Sequence, residues 1–133
     1  LRFFMNILCN AMGLEFENLV LNNLRELVKM LDISPESLLS ASPYFQNATK
    51  LAPGCQVDLL LQTKYSTYVC EIKSSKSIGT EVITEVLEKI NRLKIPKTIS
   101  LRPILIYQGE LSKQVIKENF FSRLIAFDDF LKG

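Results

Sequence analysis

Two apolar runs on either side of a short polar break constrain this chain more than any other feature. They are Cys55-Gln-Val-Asp-Leu-Leu-Leu-Gln and Tyr68-Val-Cys-Glu-Ile-Lys73, with Lys64-Tyr65-Ser66-Thr67 between them. Runs of this length and composition read as buried strands, and the polar segment reads as a hairpin turn. Side chains alternate faces along a strand, so Glu71 and Lys73 are expected on one side of the sheet, with Cys70 and Ile72 on the other. The hairpin would bring Asp58 alongside Glu71. Charges in such surroundings are costly unless paired or bound to a cation, which makes Asp58, Glu71 and Lys73 the candidate site.

The rest of the composition narrows the chemistry. The chain contains no histidine, which removes Ser-His-Asp and Cys-His catalysis and imidazole metal sites. Its three cysteines, Cys9, Cys55 and Cys70, are odd in number and lack C-x-x-C spacing, against both a disulfide framework and structural zinc. An intracellular, cytoplasmic setting is expected, and no apolar stretch approaches the roughly 18–20 residues that cross a bilayer. The 133 residues fit a single domain, 1–133. The chain begins with Leu1, and it is expected to be an excised fragment of a longer protein.

Apolar residues at helical spacing from Leu14 to Leu31 predict one amphipathic helix, and Ser34-Pro35-Glu36 predicts a short second one through Leu39. Pro43-Tyr-Phe-Gln reads as a strand at a sheet edge, followed by the hairpin. After a polar connection, Thr80 to Leu93 should form a helix with Val82, Val86, Ile90 and Leu93 inward. Pro103 to Tyr107 reads as an interior strand, Ser112 to Asn119 as a helix and Leu124 to Phe127 as a last strand. The expected class is α/β, a central mixed β-sheet flanked by helices with a core order α-β-β-β-α-β.

The aspartate, the acid-x-lysine on the next strand and a glutamate on a preceding helix together resemble the PD-(D/E)XK nuclease superfamily. Cys55-Gln56-Val57 stands before the aspartate, so the lead proline is missing, as it often is in that superfamily. Ser42-Pro-Tyr-Phe-Gln, Gly54-Cys-Gln-Val-Asp58, Tyr68-Val-Cys-Glu-Ile-Lys73 and Arg102-Pro-Ile-Leu-Ile also look like the nuclease-like domain that follows an AAA-type ATPase domain in prokaryotic proteins. That resemblance runs from about Gly13 to Phe130. It implies a restriction-endonuclease-like core, divalent-metal-dependent cleavage of nucleic acid, DNA above all, and an upstream ATPase domain. The chain itself is expected to hold no ATP site.

On this reading Asp58, Glu71 and the backbone carbonyl of Ile72 would hold Mg²⁺ or Mn²⁺, since hard cations take oxygen donors. Lys73 would orient or deprotonate the attacking water. The alternative is an Asp58–Lys73 or Glu71–Lys73 ion pair in a catalytically inactive module that binds nucleic acid or protein. Glu17, at the edge of the first helix's buried face and in Gly13-Leu-Glu-Phe-Glu17, is the extra acid, preferred to Glu15. Glu85 and Lys89 are possible accessory groups, against the simpler reading of an i,i+4 surface pair. Between Glu71 and Arg102 seven basic residues stand against four acidic ones, a balance that suits a phosphate backbone or merely complements a helix dipole. Gln56 would join the site's face only if its strand were bulged.

Overall fold

A computed structural model of the chain describes residues 15–51 and 53–131. Five strands form one mixed sheet whose spatial order follows the sequence: β1 (Leu38–Gln46), β2 (Cys55–Thr63), β3 (Ser66–Ile78), β4 (Ser100–Leu111) and β5 (Arg123–Ala126). The first three are antiparallel neighbours, and β3, β4 and β5 run parallel. Parallel neighbours need a crossover, supplied here by α3 (Glu81–Arg92) and α4 (Lys113–Glu118). The N-terminal helical residues 15–21 (α1), α2 (Leu24–Met30) and the terminal α5 (Phe127–Leu131) complete the elements. This is the expected α/β class, a mixed sheet flanked by helices and compatible with a restriction-endonuclease-like core. No helix among the described residues is long and apolar enough to cross a membrane.

Strand alternation sorts the side chains into two cores. On one face Leu59, Leu61, Cys70, Ile72, Ile104, Ile106 and Ile125 pack beneath Phe16, Val20, Leu27 and Val28 of α1 and α2. Phe127 joins this layer edge-on to Phe16, with ring centroids 5.1 Å apart. On the other face Leu105 and Ile78 meet Val82, Ile83 and Val86 of α3 and Val115 of α4. A third cluster, Cys55, Val57, Leu60 and Val69, sits under Ile90 and Leu93 at the end of α3. The chain thus spends its apolar runs on a sheet covered on both faces, and each fully buried aliphatic side chain contributes roughly 1.5–3 kcal/mol.

Several local expectations are corrected. The single helix over 14–31 is broken at Asn22–Asn23, and Leu14 lies outside the described residues. Asn23 Nδ2 donates to Leu19 O at 2.7 Å while Asn23 N turns to Val20 O, so the asparagine side chain replaces a backbone donor and the helix restarts. Pro35–Ser37 is one 3-10 turn, not a helix through Leu39, because Leu38 already has extended backbone and pairs with Thr63. β1 is consequently longer than the Pro43–Gln46 expected, though it is the edge strand anticipated. The polar connection expected after Lys73 is instead strand to Ile78, paired with β4 across an irregularity between Ser74 and Ser77. The hairpin turn tightens to Lys64–Tyr65, held by Thr63 Oγ1 accepting from Ser66 N at 3.1 Å.

The irregularity that matters most lies in β2. Ser42 stands opposite Leu60 and Tyr44 opposite Val57, so two steps along β1 match three along β2. The extra residue is a bulge beside Asp58, and Pro43 is the β1 residue facing it. Proline has no N–H to contribute to a ladder, so the bulge falls where the partner strand has least to lose.

Candidate functional site

The bulge and the hairpin register determine where β2 and β3 separate. Their pairing runs from Gln62–Thr67 to Leu59–Cys70; beyond it β2 stays with β1 as far as Cys55, while β3 continues beside β4. The strands fork, and Asp58 lies at the point of divergence. Its Oδ2 accepts a hydrogen bond from Ile72 N at 2.9 Å. A side-chain carboxylate thereby satisfies a backbone donor that the fork removes from the β2 ladder. The hairpin expectation holds: Asp58 is brought to Glu71 and its neighbour.

Glu71 and Lys73 project toward α3, whereas Cys70 and Ile72 belong to the opposite core. Lys89 Nζ meets Glu71 Oε2 at 2.9 Å, and Lys73 Nζ lies 3.5 Å from Glu85 Oε2. Two strand residues advance about 6.7 Å and four helix residues about 6 Å, so Glu71/Lys73 and Lys89/Glu85 match as rungs between β3 and α3. The Asp58–Lys73 and Glu71–Lys73 pairs weighed from the sequence are not formed, and Glu85 does not pair with Lys89. Complementary charge spacing on the facing helix takes both partners, which makes Glu85 and Lys89 part of the constellation.

The electrostatics follow from crowding. The Glu71 side chain is 8% exposed, and burial first, then the charge of Asp58, raise its pKa above the usual carboxylate range despite the opposing pull of Lys89. Glu17, half-buried on α1, is raised for the same two reasons, again against Lys89. Burial works against the charge on Lys89, but its hydrogen bond to Glu71 and the charges of Glu71 and Asp58 more than offset this, and its pKa rises. Glu71 and Lys89 shift in the same direction because carboxylates from α1, β2 and β3 surround one ammonium, and surplus negative charge raises every proton affinity there. Cys55 and Cys70 are buried free thiols, as expected, both held toward the neutral form by burial.

Negative surplus with hard oxygen donors is the environment a divalent cation favours. Among the described residues no three acidic or sulfur side chains form a ready metal cage. Mg²⁺ does not require one, since it is commonly held by one or two carboxylates and keeps several waters. Asp58 and Glu71 fit that pattern, with Glu71 Oε2 shared at present with Lys89.

An open cleft of about 600 Å³ starts at this cluster and runs over the end of β1. Asp58, Lys89 and Arg92 line one part of it, Phe45 and Gln56 another. Arg92 Nη1 donates to Gly54 O at 3.2 Å, fixing the helix end against the loop before β2. Gln46 Nε2 reaches both Pro53 O and Arg92 O, at 3.1 and 3.3 Å. Gln56, Phe45 and Arg92 are site neighbours that sequence reasoning left without a role. The legible signal was Pro43, whose missing N–H favours the bulge beside Asp58; Gln56 itself alternates with Cys55 and Val57 and reaches only the rim of the cleft. No protein-family model matches the chain, and no curated protein matches it.

Proposed function

We propose that this domain is a divalent-metal-dependent nuclease that hydrolyses phosphodiester bonds of nucleic acid, most directly DNA. The observation that carries the reading is the fork between β2 and β3, where Asp58, buried Glu71 and Lys89 converge beside an open cleft. In the proposed roles Asp58, Glu71 and the Ile72 carbonyl hold Mg²⁺ or Mn²⁺, and Glu17 adds negative potential or holds a metal-bound water. The ion would supply charge stabilisation and a more acidic water at the scissile phosphate. Lys73, held only by an exposed ion pair with Glu85, would leave that pair to orient or deprotonate the attacking water. Lys89 balances Glu71 until a cation or a phosphate arrives. Linkage to an AAA-type ATPase belongs to the same proposal and rests on the sequence resemblance alone, and a cytoplasmic setting rests on the unpaired cysteines.

The 2.9 Å contact of Lys89 with Glu71 favours a second reading, in which the lysine replaces the metal for good and the fold serves as a non-catalytic module binding nucleic acid or a protein. Cleavage separates the two. Supercoiled plasmid and single-stranded DNA incubated with Mg²⁺ or Mn²⁺ should be nicked by the wild type and left intact by Asp58→Asn and Lys73→Ala. Intact substrate with the wild type in both metals, or equal nicking by all three proteins, contradicts the nuclease reading.

A further inference from the structure

Phe45 and Gln56 are cross-strand partners on β1 and β2, so their side chains leave the sheet on the same side, and both are exposed at the rim of the cleft. Phe45 is 69% exposed while its neighbour Tyr44 turns inward toward the cluster of Cys55, Val57, Leu60 and Val69. The Gln46 amide is engaged with Pro53, Arg92 and Tyr44, but the Gln56 side-chain amide makes no hydrogen bond among the described residues. Its donor and acceptor are available to a ligand. Across the cleft Arg92 uses Nη1 on Gly54 O, which leaves most of its five donors unused.

An exposed aromatic face, a vacant amide beside it and a guanidinium opposite are the three contacts an unpaired nucleotide takes: stacking, an edge hydrogen bond and a phosphate bond. The size of the cleft limits the form of the polymer. About 600 Å³ matches a pocket for one small molecule. A double helix is far larger than such a pocket and could only lie across its mouth, whereas an unstacked base can enter it. From these contacts we infer that the cleft is a subsite for single-stranded polynucleotide, with one base stacked on Phe45, its polar edge on Gln56 and the adjoining phosphate on Arg92. The strand then leads to Asp58 and Lys89 at the cleft's inner end. The inference rests on the nuclease reading only for what happens at that end; strand binding stands apart from it.

The test is fluorescence anisotropy with labelled oligothymidylate and oligouridylate of about a dozen nucleotides, inside the usual footprint of single-strand binders, and with a duplex of equal length. Ca²⁺ in place of Mg²⁺ keeps the substrates whole. The single strands should bind more tightly than the duplex, and the DNA and RNA arms establish which sugar is preferred. Phe45→Ala should weaken binding by about 5- to 150-fold, the range for loss of one stacked base, and Phe45→Trp should retain it. Arg92→Ala should lower the slope of log affinity against log salt by about 0.7, as for one phosphate contact on a single strand. Leu39→Ala, an exposed apolar side chain on β1 outside the cleft, should change nothing. Duplex binding as tight as single-strand binding, an unaffected Phe45→Ala, or no binding of any probe overturns the inference. Cleavage that persists with duplex preference removes this subsite and leaves the nuclease reading intact; tight single-strand binding without any cleavage does the reverse.

Discussion

Replacing Lys89 by Met keeps most of the aliphatic stem and removes the charge, leaving the Glu71 carboxylate buried beside Asp58. Deleting one partner of a buried pair costs up to 3–5 kcal/mol because the other charge stays desolvated. Glu71 has an escape, since it can take up a proton, and that sets a ceiling. The penalty cannot exceed about 1.36 kcal/mol for each unit by which the pH stands above the carboxyl's ordinary value of 4.5. The ceiling is about 4.8 kcal/mol near pH 8 and below about 1 kcal/mol near pH 5. With the Glu71 side chain 8% exposed and that of Lys89 25% exposed, a loss of about 2–4 kcal/mol is expected near pH 8. The sign follows from a folded-state pKa raised above the unfolded one: the variant's stability is fully present below 4.5 and falls as pH rises through the raised value. Urea unfolding of wild type and variant at the two pH values measures the difference directly. Equal destabilisation at both, or none near pH 8, would refute the view of Glu71 as a buried carboxyl whose negative charge Lys89 offsets.

Other perturbations follow from the same geometry. Asp58→Asn keeps an oxygen for Ile72 N and removes like charge beside Glu71, so the metal-free protein should be as stable as wild type or slightly more so. Asp58→Ala strands that N–H and should cost about 1–3 kcal/mol, both read from thermal or urea unfolding. Gly109 has φ +124°, and a Cβ there would collide with Ser75 O across the β3–β4 irregularity; Gly109→Ala should lose about 3 kcal/mol in the same assay. Because removing Lys89 frees Glu71, Mg²⁺ should stabilise Lys89→Met more than wild type, by about 1.4 kcal/mol at tenfold excess over its Kd. An unchanged unfolding midpoint with Mg²⁺ would count against a cation site there.

Period-2 alternation around Glu71 and Lys73 was enough to read the hairpin, the partition of Cys70 and Ile72 into the core, and the placement of Asp58 beside Glu71. Helices α3 and α4 were equally legible, since Ser112 caps α4 by accepting from Gln114 N and Asn119 ends it in left-handed backbone, whereas α5 was missed and its first residue, Phe127, was read as the end of the last strand. What escaped depends on contacts between distant elements. Apolar spacing is blind to an asparagine that bonds back to its own helix, so Asn23 broke a helix that periodicity joined. A capping pattern at Ser34 could not foresee that Leu38 gains more by pairing with Thr63. The ion-pair partners were misassigned for a related reason: Glu85 and Lys89 fit each other on paper, but the match between helix and strand rise gives each a better partner on β3. Pro43 was read as an edge residue, and its second meaning, permission for a bulge on the neighbouring strand, emerges only when β1 and β2 are in register.

In the proposed function Asp58 and Glu71 share a divalent cation at the fork. Mn²⁺ binding followed by calorimetry and by the loss of the free-ion paramagnetic resonance signal, near neutral pH and without nucleic acid, tests it most directly. Saturable binding in the wild type, abolished or greatly weakened in Asp58→Asn and Glu71→Gln although both remain folded, is the predicted result. No saturable binding in the wild type, or binding that survives both substitutions unchanged, would contradict it.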